Sequence, residues 1–390
     1  KRISNIKPSP TLVLNARAKT MAAGGVSVVN LTCGEPDFDT PDHIKKAAID
    51  AIDSGFTKYT PVAGIPPLKK AVTDSLKRDF GMSYSDEEVI VTPGAKYAIY
   101  TAINVLIEEG DEVVIPAPYW VSYPDQVMLF DGKPVIVECT DETNFKMTPS
   151  QFENVITNRT KLLILNSPSN PTGMIYSQDE LKAIAEICIK NDIVVISDEI
   201  YNKIVYGDMS CPSIALVDGM KERTIVVNGA SKAYAMTGWR VGYAAGPKEV
   251  ISKMGIVQGQ ALTSITSITQ KAAIAAHSGP QDVVGKMVSE FQKRRDYVIN
   301  RLNSIKGISC LNPDGAFYAF PNVTGLIGKT FGNKKIESSN DLSEYLLEEA
   351  HVATVPGEAF GVDGFVRLSY ATSMEELKEG LDRIEKTLNK

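Results

Sequence analysis

From about residue 87 the chain alternates short apolar runs with longer stretches of helical periodicity. The runs are 88–92, 112–115, 134–138, 161–166, 193–197 and 224–228. Two segments, Leu162-Leu163-Ile164-Leu165 and Ile193-Val194-Val195-Ile196, show no alternation of apolar and polar positions. A strand reads this way when both of its faces are buried, as in a parallel sheet covered by helices. Ligands in such sheets sit beyond the carboxyl ends of the strands. The residues after each run are therefore the ones to search for chemistry.

The flanks read differently. Residues 1–40 are predicted to be loop-rich, closing on Gly34-Glu35-Pro36-Asp37. A helix is predicted next, with Thr40 as N-cap and Pro41 at the first helical position. Ile44, Ala47, Ala48, Ala51 and Ile52 share one face of it, and Gly55 ends it. After residue 280 a long charged helix over 282–303 leads into short strands over 316–320 and 364–369. Helices over 339–349 and 373–388 complete a mixed α+β pattern, which the N-terminal segment is expected to join. The expected division is a large α/β domain over 41–280 and a smaller α+β domain from 1–40 and 281–390. A length of 390 residues accommodates two or three domains.

Composition narrows the partners. With 43% hydrophobic and 23% charged residues the chain is ordinary for a globular protein with a large core. A net charge of -6 gives it no general pull on nucleic acid or anionic membrane, so any anion must be held by a local cationic site. The five cysteines are scattered, which reads as reduced thiols of a cytoplasmic protein. The three histidines are isolated, against a metal site and against a Ser-His-Asp hydrolase. No apolar run has the length of a membrane span.

Four strand ends carry candidate chemistry, and each also has a plain structural reading. Run 193–197 ends in Asp198, with Tyr201 three residues on; Asp198 alone reads sooner as a helix N-cap than as a site residue. Val91-Thr92 leads into Gly94-Ala95-Lys96 and a helix start, an arrangement that presents backbone N–H groups to an anion but is common in α/β loops. Asn166-Ser167-Pro168-Ser169-Asn170-Pro171-Thr172-Gly173 is a stiff loop that positions Asn170, or simply a rigid connection. Gly229-Ala230-Ser231-Lys232 sets a lysine among small residues, and Arg240 follows eight residues later.

Taken together, these segments resemble the class I and II aminotransferases. The stretch from Gly229 to Gly242 matches that family's lysine-attachment signature. Asn170-Pro171-Thr172-Gly173 and Ser197-Asp198-Glu199-Ile200-Tyr201 match its other two main motifs in order. Gly34-Glu35-Pro36-Asp37-Phe38, Pro118-Tyr119-Trp120-Val121-Ser122-Tyr123-Pro124 and Val366-Arg367-Leu368-Ser369-Tyr370 are similar to the bacterial type of aspartate aminotransferase. The resemblance spans nearly the whole chain. It implies a fold-type I transferase that uses pyridoxal 5'-phosphate.

The resemblance also implies roles. Lys232 is expected to hold the cofactor's aldehyde and to work as base on the substrate Cα–H, which requires its pKa to fall from about 10.4. Asp198 is expected against the pyridine nitrogen, and Tyr201 and Asn170 against the ring oxygen. Arg240, Ser231 and the backbone of Gly94 and Ala95 would take the phosphate, and Trp120 would stack on the ring. Tyr59 would reach the phosphate of a neighbouring subunit, making a homodimer with shared sites. Gly229 stands where many relatives have serine or threonine, so one phosphate hydroxyl is expected to be missing.

For the substrate, Arg367 is expected to hold the α-carboxylate, with Asn170 and the backbone of Gly34 assisting. Lys96 would hold a distal carboxylate, helped by Ser9 and Thr11. The implied reaction moves the amino group of aspartate to 2-oxoglutarate, with prephenate or a broader range of amino acids as the alternative. A pyridoxal-phosphate lyase such as an aminocyclopropane-carboxylate synthase shares the fold, but the similarity around Lys96 and Trp120 argues against it. A non-catalytic sensor of this fold carries a DNA-binding domain for which 390 residues leave no room. Gly328-Lys329-Thr330 resembles the end of a phosphate loop, yet Val323 replaces the required earlier glycine.

Overall fold

The computed structural model describes Ile6 and residues 10–389, and for residues 10–12 the backbone alone. The chain enters through helix α1 (Pro10–Ala23), strand β1 (Val29–Asn30), α2 (Asp42–Asp53) and α3 (Pro66–Phe80). Strands and helices then alternate through β2 (Val89–Thr92), α4 (Ala95–Leu106), β3 (Glu112–Ala117), α5 (Ser122–Leu129), β4 (Lys133–Glu138) and α6 (Pro149–Val155). They continue through β5 (Thr160–Asn166), α7 (Gln178–Lys190), β6 (Val194–Asp198), β7 (Thr224–Gly229), β8 (Gly242–Ala245), α8 (Lys248–Ala261) and α9 (Ser267–Ser278). The long helix α10 (Asp282–Ser304) leads to β9 (Tyr318–Ala319), β10 (Thr330–Phe331), β11 (Lys334–Lys335) and α11 (Ser339–Tyr345). Strands β12 (Val352–Ala353), β13 (Val355–Pro356), β14 (Val366–Ser369) and helix α12 (Met374–Leu388) close the chain.

Seven strands build the central sheet in the order β2-β8-β7-β6-β5-β3-β4. All point the same way except β8, which runs antiparallel to both β2 and β7. The six apolar runs of the sequence are the six strands of common direction. Their lack of alternation has the expected cause. Leu162 and Ile164 enter one apolar cluster, whereas Leu163 and Leu165 enter another on the opposite face. All four are at most 2% exposed, and each such side chain contributes about 1.5–3 kcal/mol on burial. Helix α7 is set by a capping box, with Ser177 accepting from Glu180 N and Glu180 accepting from Ser177 N.

A further cluster joins α10, α12, β9 and β14 to Val29 and Leu31 from the N-terminal segment. It also takes in Tyr201, Ile204 and Tyr206 from the segment after β6. The strands β13, β14 and β9 form a small antiparallel sheet beside it, and β1 pairs with β12.

Three expectations are corrected. The first 40 residues are not chiefly loop, since α1 occupies 14 of them. The apolar residues of α1 are spread around its axis, so no stripe marks it; one buried contact, Ala18 against Leu347 and Ala353, docks it. Thr40 is not a helix cap. Its Oγ1 donates to the Ala235 carbonyl at 2.7 Å and accepts from Trp239 Nε1 at 3.0 Å, while α2 starts behind Pro41 without a side-chain cap. Ile52, expected on the inward face with Ile44, is 54% exposed; only Ile44, Ala48 and Ala51 of α2 are buried.

Candidate active site

The carboxyl ends of β2, β5, β6 and β7 open on one cavity of about 450 Å³. Strand β6 delivers Asp198 to its wall as the last residue of the strand, so the N-cap reading fails. Asp198 Oδ2 accepts from Tyr123 OH at 2.7 Å, and Oδ1 accepts from Ile200 N at 3.2 Å. Burial pushes this carboxyl up to about 6, and the Tyr123 hydroxyl, the Ile200 amide and the Lys232 charge oppose that shift.

Lys232 follows β7 and turns its Nζ onto the carbonyl of Gly34. Burial pulls its pKa down to about 8, with the Arg240 and Arg367 charges adding to the fall and Glu35 and Asp198 resisting it. That is the direction base chemistry requires. A Cβ on Gly34 would come within 3.2 Å of Tyr318 OH, a tight contact.

Tyr201 sits beyond the tip of β6. Its hydroxyl lies 2.8 Å from Tyr318 OH on β9, and burial pushes its pKa well up. The loop after β5 fixes Asn170, whose N–H donates to Asn166 Oδ1 at 2.7 Å. Asn166 Nδ2 in turn donates to the Asp198 carbonyl at 2.9 Å. Asn170 Oδ1 accepts from Arg367 Nη1 at 2.9 Å, and Arg367 Nη2 donates to the Thr32 carbonyl at 2.8 Å. Arg367 is 2% exposed, and its Nε is buried without a partner among the described residues.

The turn from β2 into α4 supplies a backbone cradle. Gly94 has a φ of 93°, in the left-handed region, and a Cβ there would meet Arg240 Nη2 at 2.6 Å. A Cβ on Gly242 would meet Ala95 N at 2.4 Å. The two glycines thus let the start of α4, where the Ala95 and Lys96 amides precede the first helical bond, close against Arg240 and β8. Gly229 pairs across from Gly242 in the same ladder, and a Cβ on it would come within 2.8 Å of Gly242 Cα. Close strand approach leaves no room for a side chain at that position.

Ser231, Ala95, Lys96 and Trp120 line the same cavity. Lys96 Nζ lies 4.9 Å from the centre of the Trp120 ring, and burial and Arg240 both lower its pKa. No carboxylate among the described residues forms an ion pair with it. Tyr59 is elsewhere, 91% exposed and outside the cavity lining. Ser9 lies outside the described residues, and so does the side chain of Thr11. Tyr123, Tyr318, Glu35 and Asn15 join the site although the residue patterns assign them no part. The signal for Tyr123 is its place in one motif with Trp120, and for Glu35 its place directly after Gly34. Among the described residues no group of three or more His, Cys, Asp or Glu side chains could hold a metal ion. No helix among them is long and apolar enough to cross a membrane.

Known proteins share the sequence and the fold. The family model "Aminotransferase class I and II" matches residues 26–384. The aspartate aminotransferase of Geobacillus stearothermophilus is 48% identical over 387 residues, covering 99% of this chain and 98% of that protein. A protein of Rickettsia conorii described as a probable aspartate/prephenate aminotransferase is 49% identical, covering 100% and 98%. The crystal structure of the aspartate aminotransferase of Rhizobium meliloti superposes with a TM-score of 0.97 at 46% identity, covering 100% of this chain and 98% of that one. That of the Thermus thermophilus aspartate aminotransferase with maleate gives 0.92 at 41% identity, covering 99% and 98%. The match of fold, sequence and family pattern along almost the full length makes this chain a member of the class I and II aminotransferases, pyridoxal 5'-phosphate enzymes of fold type I.

Proposed function

We propose that the protein is an aspartate aminotransferase, transferring the amino group of aspartate to 2-oxoglutarate and yielding oxaloacetate and glutamate in two half-reactions. One observation carries the choice of substrate: besides Lys232 and Arg240, which the cofactor would engage, the cavity holds two further cationic side chains with unspent donors, Arg367 and Lys96. A buried unpaired donor costs about 1–3 kcal/mol, which a carboxylate on Arg367 Nε would recover. A dicarboxylate fits both cations at once. The names of the Geobacillus and Rhizobium relatives support the same reading.

The residues fit the cofactor. The Gly94–Gly242 cradle and Arg240 suit a phosphate, and the buried Asp198 suits a ring N–H. When bound, pyridoxal 5'-phosphate supplies the aldehyde that takes up the amino group and a ring that accepts the electron pair left at Cα. Lys232 Nζ would take the proton from Cα and deliver it to the carbon that carried the aldehyde, helped by a pKa already near 8. Asp198, its upward shift opposed by Tyr123, would hold the ring N–H. Tyr201, paired with Tyr318, and Asn170 would bond the ring oxygen. Arg240, Ser231 and the backbone at Gly94 and Ala95 would hold the phosphate, the Gly94 amide giving up its bond to the Thr92 carbonyl, and Trp120 would stack on the ring. Arg367 grips the α-carboxylate with Asn170 and the Gly34 backbone, and Lys96 meets the distal one.

A homodimer belongs to this proposal. Tyr59 is 91% exposed, and the apolar Ile49, Ile52 and Ile256 are each 54–58% exposed, as contacts for a second copy would be. Tyr59 would then complete the partner's phosphate site. The proposed domains are 41–280 for the cofactor and 1–40 with 281–390 for the smaller unit. A cytoplasmic setting suits the five free thiols.

The test is a coupled assay of oxaloacetate formation from aspartate and 2-oxoglutarate by the protein loaded with cofactor. Lys232→Ala should retain cofactor and lose turnover. Lys96→Ala should lower kcat/KM for aspartate about 10- to 100-fold more than for leucine, the worth of one charge-assisted hydrogen bond. Equal losses on both donors would remove Lys96 from the distal subsite. A second reading, prephenate as acceptor, draws on the relatives described as aspartate/prephenate aminotransferases and on lysine's tolerance as a point charge. The same assay with prephenate decides it.

A further inference from the structure

We propose that Asn15, on α1, is a further substrate-binding residue, a neutral N–H donor turned toward a substrate carboxylate. The proposal rests on the aminotransferase reading above and extends it to a helix that the sequence pattern did not reveal. Asn15 lines the cavity together with Lys232, Lys96 and Arg367.

The direction of its amide follows from a relay anchored in the backbone. Thr32 N–H donates to Asn30 Oδ1 at 3.1 Å, and Thr32 Oγ1 donates to the same atom at 2.7 Å. A backbone N–H can only donate, so this contact identifies the carbonyl end of the Asn30 amide. The nitrogen end of Asn30 therefore faces α1, where Nδ2 donates to Asn15 Oδ1 at 2.7 Å. Asn15 thus spends its carbonyl oxygen on Asn30 and keeps the N–H groups of Nδ2 for another acceptor. Thr32 also connects the relay to the substrate arginine, because its carbonyl accepts from Arg367 Nη2 at 2.8 Å. The same residue, Thr32, therefore positions Arg367 directly and Asn15 through Asn30.

The plain alternative is that Asn15 only ties α1 to β1. The two roles separate chemically. An aspartate at 15 would accept from Asn30 Nδ2 as well as the asparagine does, preserving the tie. It would replace the free donor with an anion. Asn15→Asp is thus a near-isosteric change that strikes the proposed role alone, and Asn15→Ala removes both roles.

The probe is maleate, an unreactive dicarboxylate, titrated calorimetrically into the cofactor-loaded protein. In Asn15→Asp the dissociation constant should rise at least about tenfold, the lower end for a hydrogen bond to a charged group, with the melting temperature kept. Steady-state kcat/KM for aspartate should fall in parallel. A loss confined to aspartate and maleate assigns the donor to the distal carboxylate. An equal loss on leucine assigns it to the α-carboxylate. Maleate affinity and kcat/KM within twofold of the unchanged protein would overturn the proposal. So would losses that track a fall in melting temperature in both variants, because they would mark a purely structural tie. Maleate binding reads this proposal without turnover, so an unchanged protein that binds maleate and fails to transaminate aspartate would refute the functional reading alone.

Discussion

Replacing Arg367 with lysine keeps the charge and removes the fork. The guanidinium offers five N–H groups. One on Nη1 is committed to Asn170 Oδ1 and one on Nη2 to the Thr32 carbonyl, which leaves Nε and one hydrogen on each terminal nitrogen for a ligand. Lysine has three donors. If two keep Asn170 and Thr32 satisfied, one remains for the α-carboxylate, where arginine offers a bidentate grip. The loss is one charge-assisted hydrogen bond, about 1.5–3 kcal/mol, or roughly 10- to 100-fold in kcat/KM. Every amino acid carries the α-carboxylate, so the loss should be the same for aspartate and for leucine. The assay is kcat/KM for both donors in the unchanged and Arg367→Lys proteins. An aspartate loss ten times the leucine loss would mean that Arg367 grips the distal group, and the assignments of Arg367 and Lys96 would exchange. No loss on either donor would remove Arg367 from the substrate site.

Two further outcomes follow from the geometry. Gly242→Ala would set a Cβ 2.4 Å from Ala95 N and 2.6 Å from Gly94 C, backbone that cannot step aside, so stability should drop by about 1–3 kcal/mol. Cofactor affinity should fall with it, read by fluorescence titration; unchanged affinity would separate this turn from the phosphate. His277 is buried against Tyr234 and Tyr243, and burial, with Lys203 and Arg78, pulls its pKa to about 3 against the opposition of Asp79. The unfolded chain then binds a proton on this ring between about pH 6.5 and 3 that the folded chain refuses. Its contribution is complete above about pH 6.5 and declines by about 1.4 kcal/mol per pH unit below it. Urea unfolding of a His277→Gln variant should show a shallower acid slope over that window, and an identical slope would refute the assignment.

The cofactor side of the site was legible because it is built from residues that directly follow apolar strand runs. Asp198, Asn170, Lys232 and Gly94 each sit within a few residues of such an end, and the parallel sheet brings those ends together. What stayed hidden arrives from outside that rhythm. Strand β8 is built from Gly242, Tyr243, Ala244 and Ala245, with no β-branched residue to announce it, and its reversed direction depends on pairing with β2 and β7. Tyr318 reaches Tyr201 across 117 positions of chain, and no local pattern encodes that meeting. Helix α1 lacks an apolar stripe because it docks through few contacts, so Asn15 had no element to be placed on.

Thr40 carries a lesson about which residues are interchangeable. At a helix N-cap, serine, threonine, asparagine and aspartate are near equivalents, since each needs only an accepting oxygen. At Thr40 the same oxygen must give a proton to Ala235 and receive one from Trp239, three and seven residues beyond Lys232. Aspartate can receive and cannot give, and it would set a charge against the Ala235 carbonyl. The substitution list for position 40 therefore loses aspartate, which a helix N-cap would accept. A homologue with aspartate there would have to anchor the lysine loop by other means.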